Sequence, residues 1–260
     1  MSTLSLAVRD SSTMLRRNLL HARRYPSLTL NLLLTPIMLL LLFVYIFGDT
    51  LGAGLGGGRS EYIAYLVPGL LLMTIGSTVI GTAVSVSTDL TEGIIARFRT
   101  MAIHRGSVLV GHVIGSVLQS VASVVLVGAV GVAIGFRSTD ATVLDWLGAF
   151  GLLVLFALAL TWIAVGMGLI SPSAEAAGNN AMPLILLPLL SSAFVPVDKM
   201  PGWFQPIAEY QPFTPAIETL RGLLLGTPIG HNGWLAVAWC AGLAILGYFW
   251  ATARFNNDPE

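Results

Sequence analysis

The sequence predicts an all-α polytopic membrane protein: six transmembrane helices, an N-terminal amphipathic interfacial helix and short outer re-entrant helices before the last span. Of its 260 residues, 55% are hydrophobic and only 10% are charged, whereas soluble domains carry about 25% charged residues. Its long apolar runs match the roughly 20 residues that a helix needs to cross about 30 Å of hydrocarbon. They do not alternate polar with apolar residues, as the strands of a membrane barrel would.

The apolar runs set the number of spans. They cover about residues 28–47, 63–87, 107–136, 146–170, 180–197 and 234–253. Prolines 183, 188 and 196 lie inside or at the end of the fifth run, so a five-span count remains the alternative. The first run follows an arginine-rich start, as in a signal peptide, but it is longer than the apolar core of about 7–15 residues in such a peptide. We therefore interpret it as an uncleaved first span.

The distribution of basic residues predicts the orientation. Six spans place both termini on one side, and that side holds nine of the 13 basic residues, against four on the other. Because cytoplasmic loops are enriched in arginine and lysine, the sequence predicts a multi-pass protein of the cytoplasmic (inner) membrane with both termini in the cytoplasm. A five-span chain would place its C-terminus outside.

The first 26 residues are predicted to form a cytoplasmic amphipathic connecting helix, ahead of a six-span domain over residues 27–260. Apolar residues recur on one stripe at 100° per residue, and five arginines accompany it: Arg9, Arg16, Arg17, Arg23 and Arg24. Such a helix lies in the headgroup layer with its arginines toward anionic lipid. A simple positively charged flank of the first span is the alternative interpretation.

The segment between the second and third spans, residues 88–106, is short, charged and amphipathic. Ile94, Ile95, Phe98 and Met101 recur at helical spacing, while the arginines face elsewhere. A passive connection needs no amphipathic face, so this pattern favours docking on a cytoplasmic partner. A loop that only sets the topology is the alternative.

The segment before the last span, residues 196–221, is rich in proline and aromatic residues. Its five prolines preclude a long helix, and its aromatic side chains suit a membrane interface. Two short helices that enter the outer leaflet and return fit this pattern, provided that the irregular backbone packs against protein or lines a wet cavity. Asp198 and Lys199 are adjacent, so we expect them to pair locally.

Several classes of function are absent from the sequence. The only lysine, Lys199, precedes Met200, so no phosphate-binding loop of the type G-x-x-x-x-G-K-[ST] occurs. The four histidines lack metal-ligand spacing, no G-x-S-x-G elbow occurs, and the single Cys240 allows no internal disulfide. A net charge of zero gives no indication of nucleic acid binding. No acidic residue lies deep within a predicted span, which argues against a proton relay and favours apolar or amphipathic cargo.

Small and hydroxyl residues recur inside the second and third predicted spans, among them Thr78, Thr82, Ser116 and Ser120. Small residues let membrane helices approach closely, and hydroxyls form hydrogen bonds between them. Helix packing is therefore the favoured interpretation, and a polar lining for a transport pathway is the alternative.

Three segments together resemble the membrane subunit of type-2 ABC exporters, most closely the daunorubicin/doxorubicin-resistance permeases. The arginine-rich start resembles the connecting helix of that family. The run EGIIARFR, from Glu92 to Arg99, resembles its coupling helix, and the run from Ser192 to Arg221 resembles its signature before the last span.

The resemblance implies that separate ABC ATP-binding subunits, in two copies, hold ATP and Mg²⁺, so that this chain needs no cofactor. Two permease chains, as a homodimer or a close heterodimer, would enclose a pathway for a hydrophobic substrate, in drug or antibiotic efflux or in lipid or glycan export. The implied contacts with the ATP-binding subunit are Asp89, Glu92, Gly93, Arg97, Phe98, Arg99 and Met101. The implied outer gate comprises Pro196, Pro201, Trp203, Phe204, Pro212 and Phe213.

Two other classes of function remain as alternatives. A self-sufficient secondary transporter or channel would give flux from this chain alone, driven by an ion gradient. A membrane-embedded enzyme would need a buried catalytic constellation, which the sequence does not display.

Overall fold

The computed structural model describes residues 26–92, 105–138 and 140–257, in which all regular structure is helical. In chain order the helices are α1 Pro26–Tyr45, α2 Gly48–Gly54, α3 Arg59–Thr91, α4 Arg105–Ala133, α5 Val143–Ile170, α6 Ala174–Ala181, α7 Pro183–Leu186, α8 Gln205–Tyr210, α9 Phe213–Leu225 and α10 Asn232–Asn257. Two short 3₁₀ turns, Leu187–Leu190 and Val197–Lys199, lie between α7 and α8. The predicted all-α fold is confirmed for these residues.

Four helices in the described part of the chain are long and apolar enough to cross a membrane: α3, α4, α5 and α10. A fifth candidate is the pair formed by Leu34–Tyr45 and α2, which is bent by 69°. The chain is therefore a multi-pass membrane protein with four or five candidate spans by length and composition. The predicted interfacial helix, with Arg9, Arg16, Arg17, Arg23 and Arg24, lies outside the described residues.

The fifth predicted span is not one continuous helix. Helix α6 ends at Ala181, Pro183 begins the four-residue α7, and Pro188 lies in the 3₁₀ turn that follows. Proline has no amide hydrogen to donate, and its ring crowds the preceding helical turn. Two prolines within this run therefore interrupt the helix that hydropathy alone would extend from residue 180 to 197.

Helix α3 lies at the centre of the bundle and is buried over most of its length. It packs against α1, α2, α4, α5, α6 and α9, whereas α10 packs mainly on α5. Helices α3, α4 and α5 follow one another along the chain and alternate in direction, so their termini define two ends of the bundle. We call the end where α3 stops and α4 starts the coupling end, and the opposite end, which carries the loop 134–142 and α8, the distal end.

Large apolar side chains remain exposed on the outer helices. Examples are Val125 on α4, Leu147 on α5 and Phe249 on α10, each more than half exposed. A water-soluble protein rarely exposes such a surface, but hydrocarbon solvates it without cost. The pattern is that of helices facing lipid.

Two short helices were expected before the last span, and α8 and α9 occupy that position. The local pairing of Asp198 with Lys199 is also confirmed, with 3.7 Å between Oδ2 and Nζ of two exposed side chains.

Candidate functional site

The predicted coupling segment begins within α3. Asp89 lies in the last turns of that helix and is buried, whereas Glu92, which follows the helix, is exposed. The sequence placed Asp89 in a charged segment outside the spans, so its burial is a difference from expectation. The other predicted contacts with an ATP-binding subunit lie outside the described residues: Gly93, Arg97, Phe98, Arg99 and Met101.

A buried polar contact joins the two helices that flank this segment. Nε2 of His112 on α4 lies 3.1 Å from Oδ2 of Asp89 on α3. The side chains are only 4% and 11% exposed. A carboxylate only accepts hydrogen bonds, so the imidazole N–H donates. The pair therefore ties the end of α3 to the first turns of α4, at the base of the coupling segment.

Hydroxyl groups continue this connection along the bundle. Thr82 Oγ1 donates to Ser116 Oγ at 2.6 Å, and Ser116 Oγ lies 3.2 Å from Thr161 Oγ1 on α5. One turn further, Thr78 Oγ1 and Ser120 Oγ are 2.7 Å apart. All of these side chains are buried. The contacts support the packing interpretation of the hydroxyl residues, because each hydroxyl bonds to another across a helix interface.

The distal end holds a second buried polar cluster, centred on Arg221 of α9, which is 8% exposed. Its Nη2 donates to the carbonyl oxygens of Tyr65 at 3.0 Å and of Ser192 at 3.1 Å. Nη1 donates to Glu218 Oε1 at 2.6 Å, and the guanidinium lies over the Tyr65 ring, 3.8 Å from its centroid. One side chain thus connects α3, α9 and the non-helical turn after α7.

Two tyrosines of α3 complete the cluster. The Tyr65 hydroxyl donates to the Ser192 carbonyl at 2.7 Å, and the Tyr62 hydroxyl donates to the Phe194 carbonyl at 3.4 Å. The Ser192 amide donates to Thr214 Oγ1 at 3.2 Å. Non-helical backbone survives at membrane depth only where protein satisfies it. This cluster is therefore what permits the break in the fifth predicted span.

Close packing accompanies these hydrogen bonds at Gly69. A Cβ atom there would lie 2.7 Å from both Cα and Cβ of Ala193, which is shorter than van der Waals contact. The α3 backbone approaches the turn this closely only because residue 69 has no side chain.

We expect Gly69→Ala to lower the free energy of unfolding by about 1–3 kcal/mol, the usual cost of overpacking a core. The added methyl group must push α3 away from Ala193 and strain the cluster above it. Unfolding of the full chain, titrated with sodium dodecyl sulfate in mixed micelles, measures the change.

Gly151→Ala on α5 is the matched control, because a Cβ at Gly151 meets open space. It is expected to be neutral or to stabilise by up to about 1 kcal/mol through helix propensity. Equal effects of the two substitutions would contradict the proposed close contact.

The six predicted gate residues occupy different environments. Trp203 is 77% exposed, whereas Phe213 is fully buried and packs edge-on against Phe156 of α5, with centroids 4.9 Å apart. Of the remaining four, Pro201 is exposed, and the others are partly buried: Pro196, Phe204 and Pro212. The six residues therefore differ in exposure, and the outer gate stays a prediction.

Sequence reasoning missed both buried clusters. In the sequence, Arg221 lies outside the predicted spans, and the histidines are distinguished only by the absence of metal-ligand spacing. For Arg221 a signal was present: Glu218 precedes it by three positions on an otherwise apolar helix, which is the spacing of a helical ion pair. For Asp89 and His112 the sequence separation of 23 carries no comparable signal.

Comparison with known proteins identifies the family. The family model of the ABC-2 type transporters matches residues 10–225. The daunorubicin resistance ABC transporter permease protein DrrB1 of Streptomyces coeruleorubidus is 30% identical over 242 residues, which are 92% of this chain and 83% of the relative. The segment from Ser192 to Arg221, which resembles the signature before the last span, falls entirely within the range matched by the family model.

Two further relatives are similar to this chain over two thirds or more of its length. The probable doxorubicin resistance ABC transporter permease protein DrrC of Mycobacterium tuberculosis (strain ATCC 25618 / H37Rv) is 22% identical over 180 residues, which cover 67% of this chain and 64% of the relative. Nodulation protein J of Rhizobium meliloti (strain 1021) is 29% identical over 231 residues, which cover 82% of each chain. The protein therefore belongs to the ABC-2 type transporter family, as one of its membrane-spanning permease subunits.

Proposed function

We propose that this chain forms the translocation pathway of an ATP-driven exporter of hydrophobic or amphipathic molecules, with drug or antibiotic efflux as its role. The observation that carries the proposal is the similarity to a daunorubicin resistance permease over 92% of the chain. The apolar character of the described helices supports a cargo of this chemistry. Lipid or glycan export is the nearest variant of the same function.

The proposed topology has six spans with both termini in the cytoplasm. The bent pair α1–α2 would form the first span, and the interrupted run of α6, α7 and the 3₁₀ turn would form the fifth. The excess of basic residues on the side of the termini, nine against four, supports this orientation. Residues 1–26 would then lie on the cytoplasmic face as a connecting helix.

The proposed assembly contains two permease chains, identical or closely related, and two ABC ATP-binding subunits. Membership of the family implies an ATP-binding partner, and ATP and Mg²⁺ would be held there. The coupling end is the proposed docking site, through Asp89 and Glu92 of the described residues and the neighbouring segment to Met101. The distal segment from Pro196 to Phe213 is the proposed outer gate.

Loss of partner binding is the expected result of combining Glu92→Lys with Phe98→Ala. The first change reverses a charge at the coupling end, and the second removes the largest apolar side chain of the predicted docking face. Because truncation of a central aromatic anchor commonly costs 2 kcal/mol or more, the affinity should fall by about thirtyfold or more. Co-purification with an ABC ATP-binding subunit that binds the wild-type chain measures the affinity.

Glu61→Lys with Phe249→Ala is the matched control, because Glu61 lies at the distal end and Phe249 is exposed on α10. Binding that survives both pairs of changes would count against the coupling site. Drug flux from the purified chain alone, driven by an ion gradient, would instead support the secondary-transporter alternative.

A further inference from the structure

An apolar cavity of about 320 Å³ opens between α3, α4 and α5 in the distal half of the bundle. Its lining is hydrocarbon apart from the indole of Trp146 and includes Gly128, Val132 and Phe136. An apolar cavity of 150 Å³ stays dry and holds a benzene molecule. A cavity of twice that volume among lipid-facing helices is therefore suited to a larger hydrocarbon group.

The cavity has the length of one leaflet. Its lining residues run from Trp146 to Ala157 on α5 and from Val121 to Val132 on α4, which is 11 positions on each helix. At 1.5 Å per residue this distance is about 16 Å, or about half of the roughly 30 Å hydrocarbon layer. The lining begins at the distal ends of both helices, where the membrane interface lies, and ends near the middle of the bundle.

A fixed positive charge lies at the interfacial end of the cavity. Nη1 of Arg137 donates to the carbonyl oxygens of Val132 at 2.7 Å and of Phe136 at 2.8 Å. These are two of the residues that line the cavity. The arginine side chain is therefore held against the cavity mouth rather than free to extend away from it.

Arg137 differs from the other basic residues of the distal end. Each of the other three pairs with a carboxylate: Arg59 with Asp49, Lys199 with Asp198 and Arg221 with Glu218. Among the described residues no carboxylate pairs with Arg137, and its Nε and Nη2 make no hydrogen bond to them. The nearby Asp145 carboxylate accepts from the amide and hydroxyl of Thr142. The exposed N–H groups of Arg137 are thus available to an external acceptor.

We propose that this cavity binds an acyl chain of an anionic membrane lipid, with the lipid phosphate held by Arg137. A guanidinium binds phosphate through paired hydrogen bonds, and the apolar cavity beside Arg137 extends over the depth of about one leaflet. The proposal does not depend on which molecule the transporter exports. Its test needs no transport, so its failure would leave the proposed function standing.

The test uses quenching of Trp146 by lipids brominated in the middle of the acyl chain. Full-length protein is placed in phosphatidylcholine nanodiscs that contain an increasing mole fraction of either brominated phosphatidylglycerol or brominated phosphatidylcholine. Subtracting the signal of Trp146→Phe isolates Trp146 from the other tryptophans. Half-maximal quenching is expected at about fivefold lower mole fraction of the anionic lipid, which corresponds to the roughly 1 kcal/mol that one arginine near a membrane surface contributes.

Two variants separate the headgroup contact from the cavity. Arg137→Gln should abolish the fivefold preference, and Gly128→Leu, which places its side chain in the cavity, should reduce quenching by both lipids. The matched controls are Arg254→Gln, which removes a charge at the opposite end of the bundle, and Gly151→Leu, which adds volume where a Cβ meets open space. Both should behave as the wild type, with each variant measured with and without Trp146→Phe.

Three results would overturn the proposal. Equal quenching by the two lipids would show only ordinary lipid contact. A preference for the anionic lipid that survives Arg137→Gln would mean that another residue binds its headgroup. Absence of quenching by either lipid would mean that another surface, such as a second copy of this chain, covers the cavity. Because Arg137 is exposed, its substitution keeps the test valid even if Gly128→Leu fails to fold.

Discussion

Arg221→Met is expected to lower the free energy of unfolding by about 3–5 kcal/mol, the range for removing one partner of a buried ion pair. The substitution leaves the carbonyl oxygens of Tyr65 and Ser192 without their guanidinium donor and Glu218 without its cation. Methionine fills much of the volume, so the loss reports polar contacts rather than a cavity. Unfolding in mixed micelles titrated with sodium dodecyl sulfate, followed by tryptophan fluorescence, measures it.

Two further substitutions serve as comparisons for the loss of stability expected from Arg221→Met. Lys199→Met removes a pair in which both side chains are more than half exposed, so it should change stability by less than about 1 kcal/mol. Arg221→Lys keeps the charge but lacks the planar fork that serves three acceptors at once, and its effect should fall between the other two. If Arg221→Met proves as mild as Lys199→Met, the cluster does not hold the turn after α7.

The long helices follow directly from hydropathy and length. The runs predicted at 63–87, 107–136, 146–170 and 234–253 correspond to α3, α4, α5 and α10, with ends that differ by a few residues. Whether about 20 consecutive residues are apolar enough to lie in lipid depends only on that stretch of the chain. A single sequence therefore suffices to place such helices.

The interrupted run shows where local reasoning stops. Pro183 and Pro188 predict that a helix ends, but they do not tell which groups satisfy the backbone beyond them. Those groups come from Tyr65 and Arg221, which are 127 and 29 positions away from Ser192. Hydropathy treats each run separately, so contacts of this separation are invisible to it.

The hydroxyl residues illustrate the same limit. Their recurrence predicted contacts between the second and third spans, and Thr82 and Ser116 do meet. The third partner, Thr161 on α5, was not anticipated, because no spacing within one helix identifies a residue on another.

Asp89→Asn is expected to lower the cargo moved per ATP hydrolysed by about tenfold in the reconstituted transporter. The neutral amide is a weaker hydrogen-bond acceptor than the carboxylate for the imidazole N–H of His112. A weaker buried hydrogen bond loosens the contact between α3 and α4, so less of the movement of the coupling segment would pass into the bundle. Parallel assays of cargo uptake and phosphate release in proteoliposomes measure the ratio.

Glu175→Gln is the matched control, because it neutralises an exposed carboxylate at the start of α6 and should leave the ratio unchanged. The double variant Asp89→Leu with His112→Leu separates stability from coupling. Replacing both partners of a buried hydrogen bond by apolar side chains can be nearly neutral or stabilising, so this variant should unfold no more easily than the wild type. If its transport ratio also returns to the wild-type value, the pair only fills space between α3 and α4. If the ratio stays low in a stable protein, the polar contact itself transmits the movement, because packing has been restored and the hydrogen bond has not.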